Sequence, residues 1–490
     1  PGIPTTSTLC NGLSDPVCVA ADELYMIANL DVCKSETQST CIASVWAIDS
    51  SGNKIPGVMT TVVPSDSSQY LNENNSLNIP DSHGIGAIWN FAGVKNSAGL
   101  ETYYVETRTT LFKQKSQARF GFGEINSAIT PVETLSGNYQ LPKLETNGGF
   151  SGGISKTPDG RDCQAWANSV CYAPVSFPSG YRFGMNLRIG ENLIGWFHGR
   201  FTEPNITVTK RSQGQEVVIE AEPISVPLLD FTAPLEEIPQ KALDMLFPCI
   251  RADACGGRGV GDGYQFVGNV SVAITMDIMN AFTSAFKNTA TRDRSSWSIK
   301  KMNADASTGS QRLLQCANTT GTLAGLVTTN SLTYAGGPPS YDEKSGSLLY
   351  KVSSPSYQSD GKTKASGTYD LAMKSDLARC IYGFSNAPIK AEISIVNEDG
   401  TSQVATTTVK ESGGWLYLSA KGFHYSTPTL QVKLSQEKPA EVEEAAPVTK
   451  ATTTVKPAPA AKTSITCAKG KTSKKVTGVN PKCPVGWKKK

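Results

Sequence analysis

Twelve cysteines constrain this chain more than any other feature. Cys10/Cys18, Cys33/Cys41 and Cys163/Cys171 are each eight residues apart, Cys249/Cys255 six and Cys467/Cys483 sixteen, which leaves Cys316 and Cys380. An even number of cysteines in near-neighbour pairs reads as disulfides formed in an oxidising compartment. Zinc fits poorly, because no C-x-x-C occurs and the sequence holds three histidines. Proximity along the chain does not prove pairing. Local closure is the expectation, because a short hairpin brings two side chains within disulfide reach.

A chain of 490 residues exceeds what one hydrophobic core holds, so about two to four domains are expected. Only 18% of residues are charged, and Ser, Thr, Gly and Asn fill the polar positions, which suits an extracellular β protein. No run of about 18 apolar residues exists to form a membrane helix. The chain opens at Pro1, and together with the cysteines this gives the expectation of a protein exported through a cleaved signal peptide. Residues 465–490 carry eight Lys and no acid, a charge of +8 within a chain total of +3, so the rest sums to −5. A slightly acidic body with a basic tail does not read as a nucleic-acid binder, which would show a basic stripe on a folded face.

The first 230 residues read as antiparallel strands. Phe183, Met185, Leu187 and Ile189 alternate with polar or small residues, as do Val217, Ile219 and Ala221, and Tyr103 to Phe112 forms another long run. Turns are marked by Ser51-Gly52-Asn53, Pro158-Asp159-Gly160 and Pro178-Ser179-Gly180. Between about 233 and 305 the pattern turns helical: Leu235 to Phe247, a glycine run from Gly256 to Gly263, then Ile274, Ile278, Met279, Phe282 and Phe286. Strands return around Ser347–Val352, Tyr369–Met373, Ile389–Ile395, Val404–Val409, Trp415–Leu418 and Leu430–Leu434. That density predicts an immunoglobulin-like sandwich that Cys316 and Cys380 could staple. Gly195-Trp196-Phe197 and Gly414-Trp415-Leu416 form a loose echo, each downstream of an expected strand at Cys171 or Cys380-Ile381-Tyr382. The fold class is therefore mainly β: multi-domain antiparallel β-sandwiches, the C-terminal one immunoglobulin-like, with a small helical insertion. The expected partition is a β-sandwich region at 1–232, the helical and Gly-rich insertion at 233–315, the second sandwich at 316–435, a Pro/Ala/Thr linker at 436–464 and a basic two-cysteine module at 465–490. The linker has no apolar periodicity to offset its ordering entropy.

Thr466-Cys467-Ala468-Lys469-Gly470-Lys471, Lys474-Lys475-Val476-Thr477, Pro481-Lys482-Cys483-Pro484 and Gly486-Trp487-Lys488-Lys489-Lys490 resemble a short C-terminal module of secreted actinobacterial proteins. Trp487 stands where that module is expected to carry Tyr. The region of Ala378-Arg379-Cys380-Ile381-Tyr382-Gly383-Phe384 with Gly414-Trp415 resembles uncharacterised secreted actinobacterial surface proteins. The two resemblances imply export and retention at the cell envelope, and they supply no catalytic residues.

Gly149-Phe150-Ser151-Gly152-Gly153 matches a nucleophile elbow, which needs a strand-to-helix turn with a histidine and an acid nearby. The residues after it do not start a helix, so a flexible glycine loop is the better reading. The glycine run at 256–263 lacks the G-K-[ST] ending of a phosphate loop. His198 reads as a strand residue, packed or at the rim, and not as a ligand. Asp49, Asp159, Asp262 and Asp399 read as turn residues. Glu106 and Glu124 could face one cleft as an acid/base pair, as in glycosidases, and Trp89, Tyr103, Tyr104 and Trp166 could stack on sugars. None of these makes a credible catalytic constellation, and no cofactor or metal site is indicated.

The favoured expectation is an exported, disulfide-stapled surface protein, structural or adhesive, possible as a filament or surface-layer subunit. Its expected partners are itself and an anionic envelope polymer, the latter engaged by Lys469, Lys471, Lys474, Lys475, Lys482 and Trp487. The alternative is a glycan-binding protein or glycoside hydrolase.

Overall fold

The computed structural model describes residues 8–10, 12–66, 70–141, 155–234, 236, 240, 244, 257–260, 263–267, 287–302, 311–320, 323–335, 337–397, 400–403, 406–425, 429–436, 463–478 and 481–490. The chain divides into two compact units, Pro1–Glu437 and Lys438–Lys490. In chain order the strands of the first half are β1 (Glu23–Asn29), β2 (Cys41–Ile48), β3 (Lys54–Val63), β4 (Gly86–Phe91), β5 (Thr102–Gln114), β6 (Gly121–Ser136), β7 (Ala165–Ala167), β8 (Val170–Pro174), β9 (Arg182–Ile189), β10 (Gly195–Arg200), β11 (Thr202–Lys210), β12 (Gln215–Glu222) and β13 (Ile224–Leu228). There follow β14 (Asp230–Pro234), β15 (Gly257–Val260), β16 (Gly263–Val267), β17 (Arg292–Lys301), β18 (Leu323–Thr329), β19 (Thr333–Tyr334), β20 (Ser340–Asp342), β21 (Ser347–Ser353) and β22 (Ser366–Lys374). The last strands of this unit are β23 (Ile389–Val396), β24 (Ser402–Gln403), β25 (Thr406–Ser412), β26 (Trp415–His424) and β27 (Thr429–Gln436). The described helices are α1 (Pro16–Ala20), α2 (Gln311–Thr320) and α3 (Ser375–Tyr382).

The protein is mainly β, as the alternating runs predict. One layer pairs β11, β12, β9 and β2 in that order. A second runs β4, β5, β6, β17, β10. Strand β3 turns the corner between them, pairing with β2 at 54–56 and with β4 at 57–63. Alternate residues of both layers, among them Val45, Phe183, Met185, Ile219, Trp89, Tyr103, Val105 and Ile129, fill one core.

Strand pairing crosses the boundaries expected at 232/233 and 315/316. Strand β17, from the segment expected to be helical, pairs with β6, β13 and β10. Strand β10 pairs in parallel with β18, which continues into β22, β26 and β25. The other face of this extension packs on a smaller sheet ordered β19, β21, β27, β23, β24, with β20 beside β21. Every residue of β18 is buried. Leu323 and Leu326 enter the first core, while Ala324 and Val327 enter the second with Leu348, Tyr350, Leu371, Leu418 and Val432. The strands of 316–435 therefore build a two-layer sandwich whose large sheet is shared with the N-terminal half. A strand buried on both faces reads as a continuous apolar run, not an alternation.

The segment expected as a strand at Cys380-Ile381-Tyr382 is helix α3. Leu377, Ala378 and Ile381 are buried at helical spacing. Gly383 ends the helix in the left-handed conformation at φ 68°, with its N–H on the Arg379 carbonyl. Of the helical pattern at 235–247 only residues 236, 240 and 244 are described, and the pattern at 274–286, with nearly all of the linker, lies outside the described residues. The glycine run at 256–263 is described at 257–260 and 263, where the backbone pairs β15 with β16.

Five disulfides join the expected pairs: Cys10–Cys18, Cys33–Cys41, Cys163–Cys171, Cys316–Cys380 and Cys467–Cys483. Cys249 and Cys255 lie outside the described residues. A hairpin explains Cys163–Cys171, where Asn168 and Ser169 turn β7 into β8 with φ of 48° and 69°. Cys10–Cys18 closes a turn onto α1, and Cys316–Cys380 joins α2 to α3, not two strands of a sandwich.

The second unit holds a hairpin of β28 (Thr463–Lys469) and β29 (Thr472–Gly478), with the short β30 (Lys488–Lys489) on the far edge of β28. The turn passes through Gly470 at φ 62°.

Candidate functional site

The β5–β6 hairpin sends Val105, Thr107 and Ile129 into the core and leaves Glu106, Asn126 and Ala128 on the outer face. There they line a cleft of about 290 Å³, together with Gln164, His198, Arg200, Arg294 and Tyr334. Gln164 is the hub. Its Nε2 donates to Glu106 Oε1 at 3.2 Å, and its Oε1 accepts from Arg294 Nη2 at 3.0 Å. The Tyr104 hydroxyl donates to Glu106 Oε2 at 3.3 Å. Burial pushes the Glu106 carboxyl above its usual range, against the pull of Tyr104, Arg108 and Arg294. Burial also lowers the Arg294 guanidinium, as does neighbouring Arg292.

His198 is 2% exposed and stacked on Tyr334, with ring centroids 3.3 Å apart and planes 3° from parallel. Burial, then Arg200 and Lys300, hold it well below the ordinary imidazole value, so it is neutral. Arg200 is pinned by the carbonyls of Thr329 at 3.1 Å, Leu332 at 3.0 Å and Ser331. The strand reading of His198 thus holds. The cleft can bind a polar ligand through amide, guanidinium and carboxylate groups.

Glu124 does not line this cleft. Glu106 lies opposite Ala128 in the β5–β6 register. Glu124, four residues further along, is displaced by about 13 Å at the usual strand rise. The register therefore separates the two carboxylates that a glycosidase would bring within about 5–10 Å. Trp89, Tyr103, Tyr104 and Trp166 are all buried, so none offers a face for stacking on sugar. Asp49 is a turn residue, its Oδ1 accepting from the N–H groups of Ser51 and Asn53 at 2.9 Å each. Ser151, Asp262 and Asp399 lie outside the described residues.

A second polar cluster, absent from the sequence reading, surrounds His83. Its Nδ1 lies 2.5 Å from Asp31 Oδ2, while Lys34 reaches Asp81 at 2.9 Å. Asp31 and Lys34 also line an apolar cleft of about 250 Å³ with Ile42, Met59, Val62 and Ala87. The separation of Asp31 from His83 by 52 residues left no spacing for sequence reasoning to use. Among the described residues no group of three or more His, Cys, Asp or Glu could hold a metal ion.

In the basic module Cys467 is fully buried and the disulfide to Cys483 fastens the hairpin. Lys469, Lys471, Lys474, Lys475 and Lys482 are exposed, as are Lys488, Lys489 and Lys490, and Trp487 is half-buried. Lys474 lies opposite Cys467 and Lys475 opposite Thr466. Consecutive strand residues point to opposite faces. The module is therefore cationic on both faces, not on the single face that a compact loop would present.

No helix among the described residues is long and apolar enough to cross a membrane. No protein-family model, no curated protein and no solved structure matches the chain.

Proposed function

We propose that this protein is an exported structural or adhesive element of the cell surface, held at an anionic envelope polymer by its C-terminal module. The observation that carries this reading is the exposure of all eight lysines of a disulfide-closed module that has no acidic residue, with Lys474 and Lys475 on opposite faces of its hairpin. Such a module can be surrounded by a polyanion. Its attraction is screened over about 8 Å at physiological ionic strength. The disulfides and the resemblance of the module to those of secreted actinobacterial proteins support export.

The test is co-sedimentation of the full chain with insoluble polyuronate or immobilised polyphosphate. Binding is expected at low salt, to weaken several-fold in 0.5 M salt, and to vanish when 465–490 is deleted. Undiminished binding by the truncated chain would sink the tether. The glycan-binding alternative is favoured by one observation, the Glu106–Gln164–Arg294 network in its cleft. It predicts saturable, salt-tolerant binding of soluble oligosaccharide that Gln164→Ala abolishes.

A further inference from the structure

The outer face of the sheet across β5, β6, β17 and β10 sets small residues between charged ones. Glu106, Ala128, Ser298 and Arg200 stand in one row across these four strands. Inter-strand gaps of about 4.8 Å put the ends of that row about 14 Å apart, with Ala and Ser between them. Along β17, Ser296 and Ser298 lie between Arg294 and Lys300 on this face, because Trp297 and Ile299 point into the core. The depression is the floor of the cleft of about 290 Å³. Its lining sets three cations, Arg200, Arg294 and Lys300, against the carboxylate of Glu106, although the chain outside 465–490 sums to −5.

Arg294 and His198 have hydrogen-bonding capacity to spare. A guanidinium is a fork of several N–H donors. Among the described residues Arg294 makes one hydrogen bond, to Gln164 Oε1 at 3.0 Å, and no ion pair. Glu106 reaches it only through Gln164, and both Glu106 oxygens already accept, from Gln164 and Tyr104. A guanidinium drawn out of water without a counter-anion is costly. His198 Nε2, in the same lining, is buried with no hydrogen-bond partner among the described residues, and such an orphaned atom also costs stability. Arg200 is already held by backbone carbonyls and acts as a fixed positive charge.

We propose that this cleft binds a monosaccharide-sized sugar acid, with the ligand carboxylate on Arg294 and its hydroxyls on Ser296, Ser298 and Asn126. Arginine and carboxylate match as a two-point, charge-assisted pair. The serine hydroxyls and the Asn126 amide both donate and accept, as sugar hydroxyls require; a bare inorganic anion would leave them unanswered. A cleft of about 290 Å³ is at the small end of ligand sites, which suits one ring and not a length of chain. The inference rests on the glycan-binding reading and names its ligand class. It is independent of the tether, whose ligand is an insoluble polyanion and whose determinant is 465–490.

Isothermal titration of the full chain at fixed ionic strength, with glucuronate, glucose and acetate in turn, tests it. Glucuronate should bind at least tenfold more tightly than glucose, which lacks the charge, and than acetate, which lacks the hydroxyls. Arg294→Gln should abolish the preference for glucuronate over glucose. Lys300→Gln, at an exposed position, should weaken glucuronate a few-fold, and it keeps the test open should Arg294→Gln fail to match the parent in near-UV circular dichroism. A trimer of galacturonate separates the sources of such an acid: affinity equal to that of the monomer marks a free sugar acid, and tighter binding marks the end of a chain. Equal affinity for glucose and glucuronate would keep a glycan site and overturn its acidic specificity. Binding of acetate as tight as that of glucuronate, no binding of glucuronate, or a preference indifferent to both variants also overturns the proposal.

Discussion

Single residues fix how the layers approach one another. At Gly325, in the strand shared by the two cores, a Cβ would fall within the Trp196 ring. Gly325→Ala should therefore destabilise the protein by about 1–3 kcal/mol through overpacking, read as a lower urea midpoint with an unchanged slope. Asp370 joins β22 to its neighbours from a buried position, accepting from Thr202 Oγ1 at 2.9 Å, Thr328 Oγ1 at 3.0 Å and the Glu203 N–H at 3.2 Å. His198 makes a pH-dependent contribution whose sign follows from its environment. Its folded pKa lies well below 6.5 because burial, Arg200 and Lys300 oppose the cation. The unfolded chain takes up that proton near pH 6.5 and the folded chain does not. Stability should thus fall as pH drops below about 6.5, by at most about 1.4 kcal/mol per pH unit for this one group. His198→Gln should flatten that slope in urea titrations at pH 5, 6 and 7; an unaltered slope would remove His198 as its source. Sequence reasoning placed His198 on a strand, either packed or at the rim, and the structure packs it. It could not foresee the Tyr334 ring on which it stacks, because that contact spans 136 positions and depends on a parallel strand pair.

Secondary-structure elements were legible where one face is buried and the other wet. The period of two in β9, β12 and β23 is visible in their side chains, and those strands fall where the alternation puts them. Strand β18 was missed because Leu-Ala-Gly-Leu-Val has no alternation to detect. Helix α2 was missed for a related reason: its signal is three buried positions, Leu313, Cys316 and Ala317, in an otherwise polar stretch. Helix α3 was mistaken for a strand because Cys-Ile-Tyr suits a strand as well as a helix, and only Gly383 punctuates its end. The cysteine pairing was the most legible feature of all, although one of its stated causes, the hairpin, applies clearly at Cys163–Cys171. The disulfides should differ in strength. Cys316–Cys380 spans 64 positions and Cys33–Cys41 spans eight. Loop-closure entropy predicts a loss of about 4 kcal/mol for the double alanine variant of the former and about 2.5 for the latter. Guanidinium unfolding of the two variants would decide. A larger loss at Cys33–Cys41 would show that its loop, packed beside Asp31 and Lys34, contributes native contacts beyond closure entropy.

For the whole molecule, the shared sheet has a consequence for cooperativity. Two sandwiches joined by a linker would melt as two transitions, each with its own enthalpy. Here β18 contributes alternate residues to both cores, and the same holds for β22 and β26. Ala372 and Trp415 enter the N-terminal core, while Leu371, Met373, Leu416 and Leu418 enter the C-terminal one. Trp196 makes the reverse crossing, from β10 into the C-terminal core. Losing either core exposes the apolar face of the sheet that the other core requires, at about 25 cal/mol per Å² of apolar surface. Neither half is then expected to be stable alone, and the change of pattern near residues 232 and 315 is expected not to mark an independent folding boundary. Calorimetry of residues 1–437 should give one transition with a calorimetric to van't Hoff enthalpy ratio near one. A fragment of 316–437 expressed alone should lack near-UV circular dichroism and fail to unfold cooperatively, because β18, β22 and β26 would turn Leu326, Ala372 and Trp415 to water. Two resolved transitions, or a cooperatively folded 316–437 fragment, would show that the shared sheet is a contact between two independently stable sandwiches and not a common core.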